Sequence, residues 1–154
     1  MTLSELLQPG SVRTVSSVSS KKRLFHEIGD MAEALGLSAP DVIDALMDRE
    51  ALGPTGVGGG VALPHARLSG LQSVVGLFLR LEKPLDFDSV DRQPVDLVFC
   101  LLAPEEAGVE HLKALALVSR TLRDEDVQAK LRANEEPATL HAILTEAQSS
   151  PAAA

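Results

Sequence analysis

The first place to look for chemistry in this sequence is a histidine that follows a glycine-rich stretch and a proline. Gly53-Pro54-Thr55-Gly56-Val57-Gly58-Gly59-Gly60 leads through Val61-Ala62-Leu63-Pro64 to His65. Glycine loses the most chain entropy on folding, so five glycines in these eight residues need a local reason. Successive backbone N–H groups in such a loop make a concavity that binds anions, and Gly56, Gly58 and Gly60 are expected to line it. A neutral imidazole beside it is a competent nucleophile. The pair suits acceptance of a phosphoryl group, whose equatorial oxygens need hydrogen-bond donors in the transition state. The competing reading of His65 is a plain turn histidine.

Other residues can join or replace this chemistry. His111 stands near the start of a predicted helix, with Leu115 and Ser119 on the same face. Beside His65 it can orient the ring, donate to phosphate, or only pack. Arg49 and Arg67 flank the glycine stretch, and each carries a planar fork that fits phosphate, although a solvated arginine is the commoner outcome. Glu50, Asp86, Asp88 and Asp91 are acids that can partner a histidine. His26 and His141 fall in amphipathic segments without such neighbours and read as structural or exposed. A P-loop needs Lys and Ser/Thr after Gly58, where Gly59 and Gly60 stand. A dinucleotide fingerprint from Gly56 needs glycine where Val61 stands. No third ligand accompanies the histidines at zinc spacing, and no G-x-S-x-G elbow is present.

The elements that must position these groups follow from periodicity. Residues 1–20 read as a loose lead-in, with Leu3, Leu6 and Leu7 able to dock and Ser16, Ser17, Ser19 and Ser20 forming a mobile connection. Leu24, Ile28, Met31, Ala32 and Leu35 predict a helix that Gly36 ends. A second helix has Ser38 as cap, Pro40 and Asp41 in its first turn, and Val42, Ile43, Leu46 and Met47 inward; it stops before Gly53-Pro54. Both helices are thus expected before the first strand. Val61–Leu63 reads as an edge strand or strand end whose ladder Pro64 stops.

Val75, Leu77, Leu79 and Leu81 alternate as a strand, Pro84 to Pro94 is a turn-rich link, and Val95–Leu102 is apolar enough for a central strand. Cys100 lies in that run and reads as a core residue. A helix follows Pro104 and runs to Leu122, with Leu112, Leu115, Ala116 and Leu122 inward, and shorter helices span about 125–133 and 137–147. The expected fold is one α/β domain over residues 1–148, with a disordered tail over 149–154.

Composition narrows the partners. The chain has 154 residues, 45% of them apolar, with a net charge of −8. That acidity argues against duplex nucleic acid, whose binding depends on cations. Four Phe with no Trp or Tyr argue against a base-stacking surface. A single cysteine excludes an intrachain disulfide. No signal sequence and no run approaching roughly 20 apolar residues is found, so a cytoplasmic protein without membrane insertion is expected. The acidity must also be uneven. The site around His65 is expected to be apolar and glycine-lined, with Arg49 or Arg67 positive and acids on its rim or elsewhere, free to meet a basic partner.

Thr55-Gly56-Val57-Gly58-Gly59-Gly60-Val61-Ala62-Leu63-Pro64-His65 resembles the active-site segment of phosphotransferase-system enzyme IIA proteins of the fructose/mannitol type. The nitrogen-regulatory branch, usually stand-alone, is the most similar. The likeness takes in Ser20-Lys21-Lys22-Arg23, Asp48-Arg49-Glu50, Phe87-Asp88, Gln93 to Phe99, Glu110-His111-Leu112 and Lys130-Leu131-Arg132. It implies a mixed β-sheet flanked by helices on both faces, phosphorylation of His65, His111 as its neighbour, and Arg49 near the phosphate with Thr55 and Glu50 close by. It implies no metal or organic cofactor. A histidine phosphocarrier protein would donate the phosphoryl group. The regulated partners would be proteins such as potassium-transport or sensor-kinase components. A sugar-specific component passing phosphate to a IIB domain, and a binding module that has lost transfer, are the alternative roles. Gly59 stands where relatives more often carry Asn, and Ala66-Arg67 where Gly-Lys is commoner.

Overall fold

In a computed structural model, which describes residues 1–149, the expected α/β architecture is built from six helices and a six-stranded mixed sheet. The chain runs α1 (Leu3–Leu6), a 3-10 turn (Pro9–Ser11), β1 (Val12–Val15), α2 (Lys21–Glu33), α3 (Ala39–Ala51), β2 (Gly56–Gly58), β3 (Val61–Ala62), β4 (His65–Leu68), β5 (Val75–Leu85), β6 (Val95–Pro104), α4 (Gly108–Arg123), α5 (Glu125–Arg132) and α6 (Pro137–Ser149). The expected tail from residue 150 onward lies outside the described residues.

β6 is the centre of the sheet. It pairs antiparallel with β5 on one side and parallel with β3 and then β4 on the other. β1 adds to β5 in parallel, and β2 turns back on β3. The strand period decides the two faces. Leu97, Phe99, Leu101 and Ala103 join Phe78 beneath α1, α4, α5 and α6, while Val98, Cys100 and Leu102 join Leu77, Leu79 and Leu81 beneath α2 and α3. A sheet covered on both faces makes β6 a continuous apolar run, as its sequence announced. Each fully buried leucine in it stabilises by about 1.5–3 kcal/mol.

The helix ends follow sequence chemistry. The Ser20 and Ser38 hydroxyls accept from the backbone N–H groups of Arg23 and Asp41 at 3.1 and 3.3 Å, caps worth about 1 kcal/mol each. Gly36, at φ +82°, closes α2.

Five expectations need correction. Residues 1–20 are not a loose lead-in: α1 is buried through Leu3 and Leu6, β1 precedes both long helices, and Ser20 is a cap rather than part of a mobile connection. The signal was weak because β1 is four residues long and gains its partner, β5, only in the fold. Pro64 interrupts a ladder without ending it, since β4 resumes pairing with β6 immediately afterwards and Pro64 offers its carbonyl to the Leu101 N–H at 3.0 Å. β3 is flanked by β2 and β6, so the edge next to it is β2. On α4 the inward residues are Ala114, Leu117, Val118 and Leu122; Leu112 and Ala116 face outward. β5 also extends through Pro84 to Leu85, which shortens the link that follows.

Candidate active site

The alternation of β4 puts Ala66 and Leu68 into the core under α2 and α3 and leaves His65 and Arg67 on the opposite side. That side is bounded by the last turn of α3 and the first turn of α4, which supply Arg49 and His111. The His65 and His111 rings meet edge to face with centroids 5.4 Å apart, and Arg49 Nε–H donates to His65 Nε2 at 3.3 Å. Arg49 is itself held by an Nη1–H bond to the Gly53 carbonyl at 2.9 Å. A cleft of about 530 Å³ opens over these groups, lined also by Arg67, Leu52 and Leu112.

The tautomer of His65 follows from its partners. Its Nδ1 lies 2.9 Å from the Leu63 carbonyl, which can only accept, so Nδ1 carries the proton. The Nε2 lone pair therefore points at Arg49 and the cleft. Burial holds the His65 pKa below its ordinary value; the Leu63 carbonyl acts upward, Arg49 downward and Glu50 upward. His111 is also held low, first by burial and then by His65 and Arg67. Both rings are thus biased toward the neutral form, which is the nucleophilic one. His111 is 6% exposed, and its Nε2 is buried without a hydrogen-bond partner. An unsatisfied buried polar atom costs about 1–3 kcal/mol, which a ligand accepting its hydrogen bond would remove.

Chain residues 5–147 match the family model "Phosphoenolpyruvate-dependent sugar phosphotransferase system, EIIA 2". The chain belongs to this family. Among EIIA 2 relatives, the nitrogen regulatory protein of Bradyrhizobium diazoefficiens is 46% identical over 145 residues, 94% of this chain and 95% of that one. The crystal structure of nitrogen regulatory protein IIA-Ntr from Neisseria meningitidis superposes with a TM-score of 0.85 at 38% identity, covering 93% of this chain and 99% of that one. Mannitol IIA from Escherichia coli shares the fold, with a TM-score of 0.74 at 19% identity, covering 88% of this chain and 96% of that one.

Against the EIIA 2 frame, each candidate residue has a definite place. His65, His111, Arg49 and Arg67 share the cleft. Arg67 reaches across to the Glu105 carbonyl at 3.1 Å. The glycine stretch does not wrap His65: it is a hairpin whose tip, Gly59-Gly60, lies level with Asp96, while His65 pairs level with Leu101. The tip is tied down elsewhere. The Gly59 N–H donates to Asp91 at 2.9 Å, and Arg132 donates to the Gly59 carbonyl at 2.8 Å. Gly60, at φ +79°, leaves no room for a side chain against Arg132 and Asp96, and a Cβ on Gly56 would strike the Ser89 hydroxyl. These glycines permit close packing rather than line the cleft.

Among the described residues no acid bonds to His65. Glu50 accepts from Thr55 instead, Asp91 from Gly59, and Asp88 pairs with Lys21, while Asp86 caps the Asp88 N–H. Of the two remaining histidines, His26 is exposed and His141 bonds the Leu7 carbonyl at 2.8 Å. Leu63, which fixes the tautomer through its carbonyl, gave no signal in the sequence. Neither did exposed Leu52, 85% accessible at the cleft's rim beside Leu112 at 66%. Among the described residues no three His, Cys, Asp or Glu side chains converge as a metal site. Among them, too, no helix is long and apolar enough to cross a membrane.

Proposed function

We propose that this chain is a phosphohistidine carrier in which His65 Nε2 accepts a phosphoryl group from a histidine phosphocarrier protein. The observation that carries the reading is the pair of bonds on one imidazole: Nδ1–H held by the Leu63 carbonyl and Nε2 facing Arg49 in an open cleft. The Nε2 lone pair attacks phosphorus in line. A P–N bond forms to His65 as the P–N bond to the donor histidine breaks and its electron pair returns to the donor nitrogen. The proton stays on Nδ1, hydrogen-bonded to the Leu63 carbonyl, and the developing imidazolium is stabilised by that carbonyl.

Arg49 swings its Nε–H from the lone pair to an incoming phosphoryl oxygen. His111 offers its unpartnered Nε2, as N–H, to another, and Arg67 adds long-range positive charge. Leu52 and Leu112 supply the exposed apolar rim on which the carrier docks. Phosphorylation changes the charge at this rim by about −1.5 to −2 and so switches the protein's contacts with regulated partners. In the nitrogen-regulatory role implied by the similar proteins, those partners are components such as potassium transporters or sensor kinases, reached in the cytoplasm.

The test is incubation with phosphoenolpyruvate, the first enzyme of the system and the carrier, read by intact mass. The wild-type chain gains one acid-labile phosphate and His65→Ala gains none. A His65→Ala chain that is still labelled refutes the assignment.

A further inference from the structure

Lys21 sits where helix electrostatics disfavours it. It opens α2, at the positive end of the macrodipole, in a first turn without an acid. Glu50 is misplaced in the opposite sense, in the last turn of α3 at the negative end. The two are nevertheless drawn together, Lys21 Nζ lying 2.9 Å from Glu50 Oε2. Neither placement helps its own helix, so the reason lies in what the pair holds. The Glu50 side chain is 8% exposed, and a carboxylate withdrawn from water that far needs its lone pairs filled.

They are filled by one residue besides Lys21. The Thr55 N–H donates to Oε2 at 3.0 Å and the Thr55 hydroxyl to Oε1 at 2.6 Å. The Thr55 carbonyl accepts the Leu63 N–H at 3.0 Å, and the Leu63 carbonyl accepts His65 Nδ1–H at 2.9 Å. Lys21 is fixed on its other side by Asp88 Oδ2 at 3.5 Å and by the buried Phe87 ring, 4.8 Å from its centroid. The carbonyl that selects the imidazole tautomer is thus tied, bond by bond, to an ammonium on a different helix.

We propose that Lys21 is a positioning residue for His65, acting through Glu50, Thr55 and Leu63 to keep the proton on Nδ1 and the lone pair on Nε2. The inference rests on the reading of His65 as the phosphoryl acceptor. Without Lys21, Glu50 is left with a buried, partly uncompensated charge and turns toward water. It then releases Thr55, and the Leu63 carbonyl loses its register with the ring.

The experiment uses the full chain with ¹⁵N-labelled histidine, comparing wild type with Lys21→Met, Lys21→Arg and Thr55→Val. Ring ¹⁵N shifts report the His65 tautomer without any partner protein, and circular dichroism reports folding. In Lys21→Met the Nε2–H form of His65 becomes populated, and the rate of phosphoryl acceptance falls on the order of tenfold or more. Lys21→Arg, which keeps a cation in reach of Glu50, restores the wild-type tautomer. Thr55→Val, of the same shape but without the hydroxyl, shifts the same signals in the same direction and guards against a Lys21→Met chain that fails to fold.

Wild-type ring shifts in folded Lys21→Met overturn the proposal. So does a slower transfer with unchanged ring shifts, since that assigns Lys21 to carrier contact. Failure of the acceptor reading shows separately, as label retained by His65→Ala.

Discussion

Replacing Arg49 with methionine tests the electrostatics of the cleft in two ways at once. Arg49 puts one N–H on His65 Nε2 at 3.3 Å and another on the Gly53 carbonyl at 2.9 Å. On the proposed reading of His65 as acceptor, the first bond puts the guanidinium where phosphoryl oxygens would arrive. Losing one such donor in a partly dry site costs about 10²–10³ in rate, or about 3–4 kcal/mol of transition-state stabilisation. The second bond ties the end of α3, and its loss costs about 1 kcal/mol of stability, a fall of about 2–4 °C in melting temperature.

Arg49 also holds the His65 pKa down, so its removal moves the His65 titration midpoint upward. The assays are a quenched time course of phosphoryl acceptance by intact mass, an NMR titration of the His65 ring, and thermal unfolding. Arg49→Lys keeps the charge without the fork, and it falls between methionine and wild type in rate. A methionine variant that accepts phosphoryl within about threefold of wild type refutes the reasoning. So does a His65 midpoint that stays in place or falls.

The histidines give a pH prediction with a definite sign. Both fold with midpoints below the ordinary 6.5, so just under that pH the unfolded chain binds protons that the folded chain refuses. Stability is therefore highest above about pH 6.5 and declines as pH falls toward the folded midpoints, a trend that denaturant titrations will show and His111→Gln will weaken. His65→Gln removes a charge that disfavours His111 protonation, so the His111 midpoint rises toward its ordinary value by NMR. Gly56→Ala drives a methyl group into the Ser89 hydroxyl and destabilises by about 1–3 kcal/mol, and Ser89→Gly in the same chain recovers part of it in chemical denaturation. Leu112→Asp, at an exposed position, leaves stability within about 0.5 kcal/mol but weakens binding of the phosphocarrier in calorimetry.

Much of the frame was legible before folding. Helix α2 declares itself by spacing and Gly36, α3 by spacing and its Ser38 cap, and β6 by a run of apolar residues too long for a half-wet strand. β1 was not legible, because four residues with a half-buried arginine and threonine carry no clear alternation. The inward face of α4 was misassigned at Leu112 and Ala116 since apolar residues surround that helix, and periodicity cannot choose among them. The glycine stretch drew attention to His65 as the lining of an anion site around it, and the fold does not put its glycines there. Its glycines make room for Ser89, Asp96 and Arg132, and the charged groups beside His65 come from elsewhere.

The sequence by itself determined the chemical inventory: a histidine after Leu63-Pro64, a second histidine, two arginines, and a motif specific enough to point to a family. Tertiary structure decided what those groups can do. A hydrogen bond between Arg49 and His65, and ring contact between His65 and His111, join a helix end, a strand start and a helix start that no local periodicity connects. The placing of the His65 lone pair on Nε2 is likewise made by a backbone carbonyl, which every residue possesses and which only a folded chain can aim.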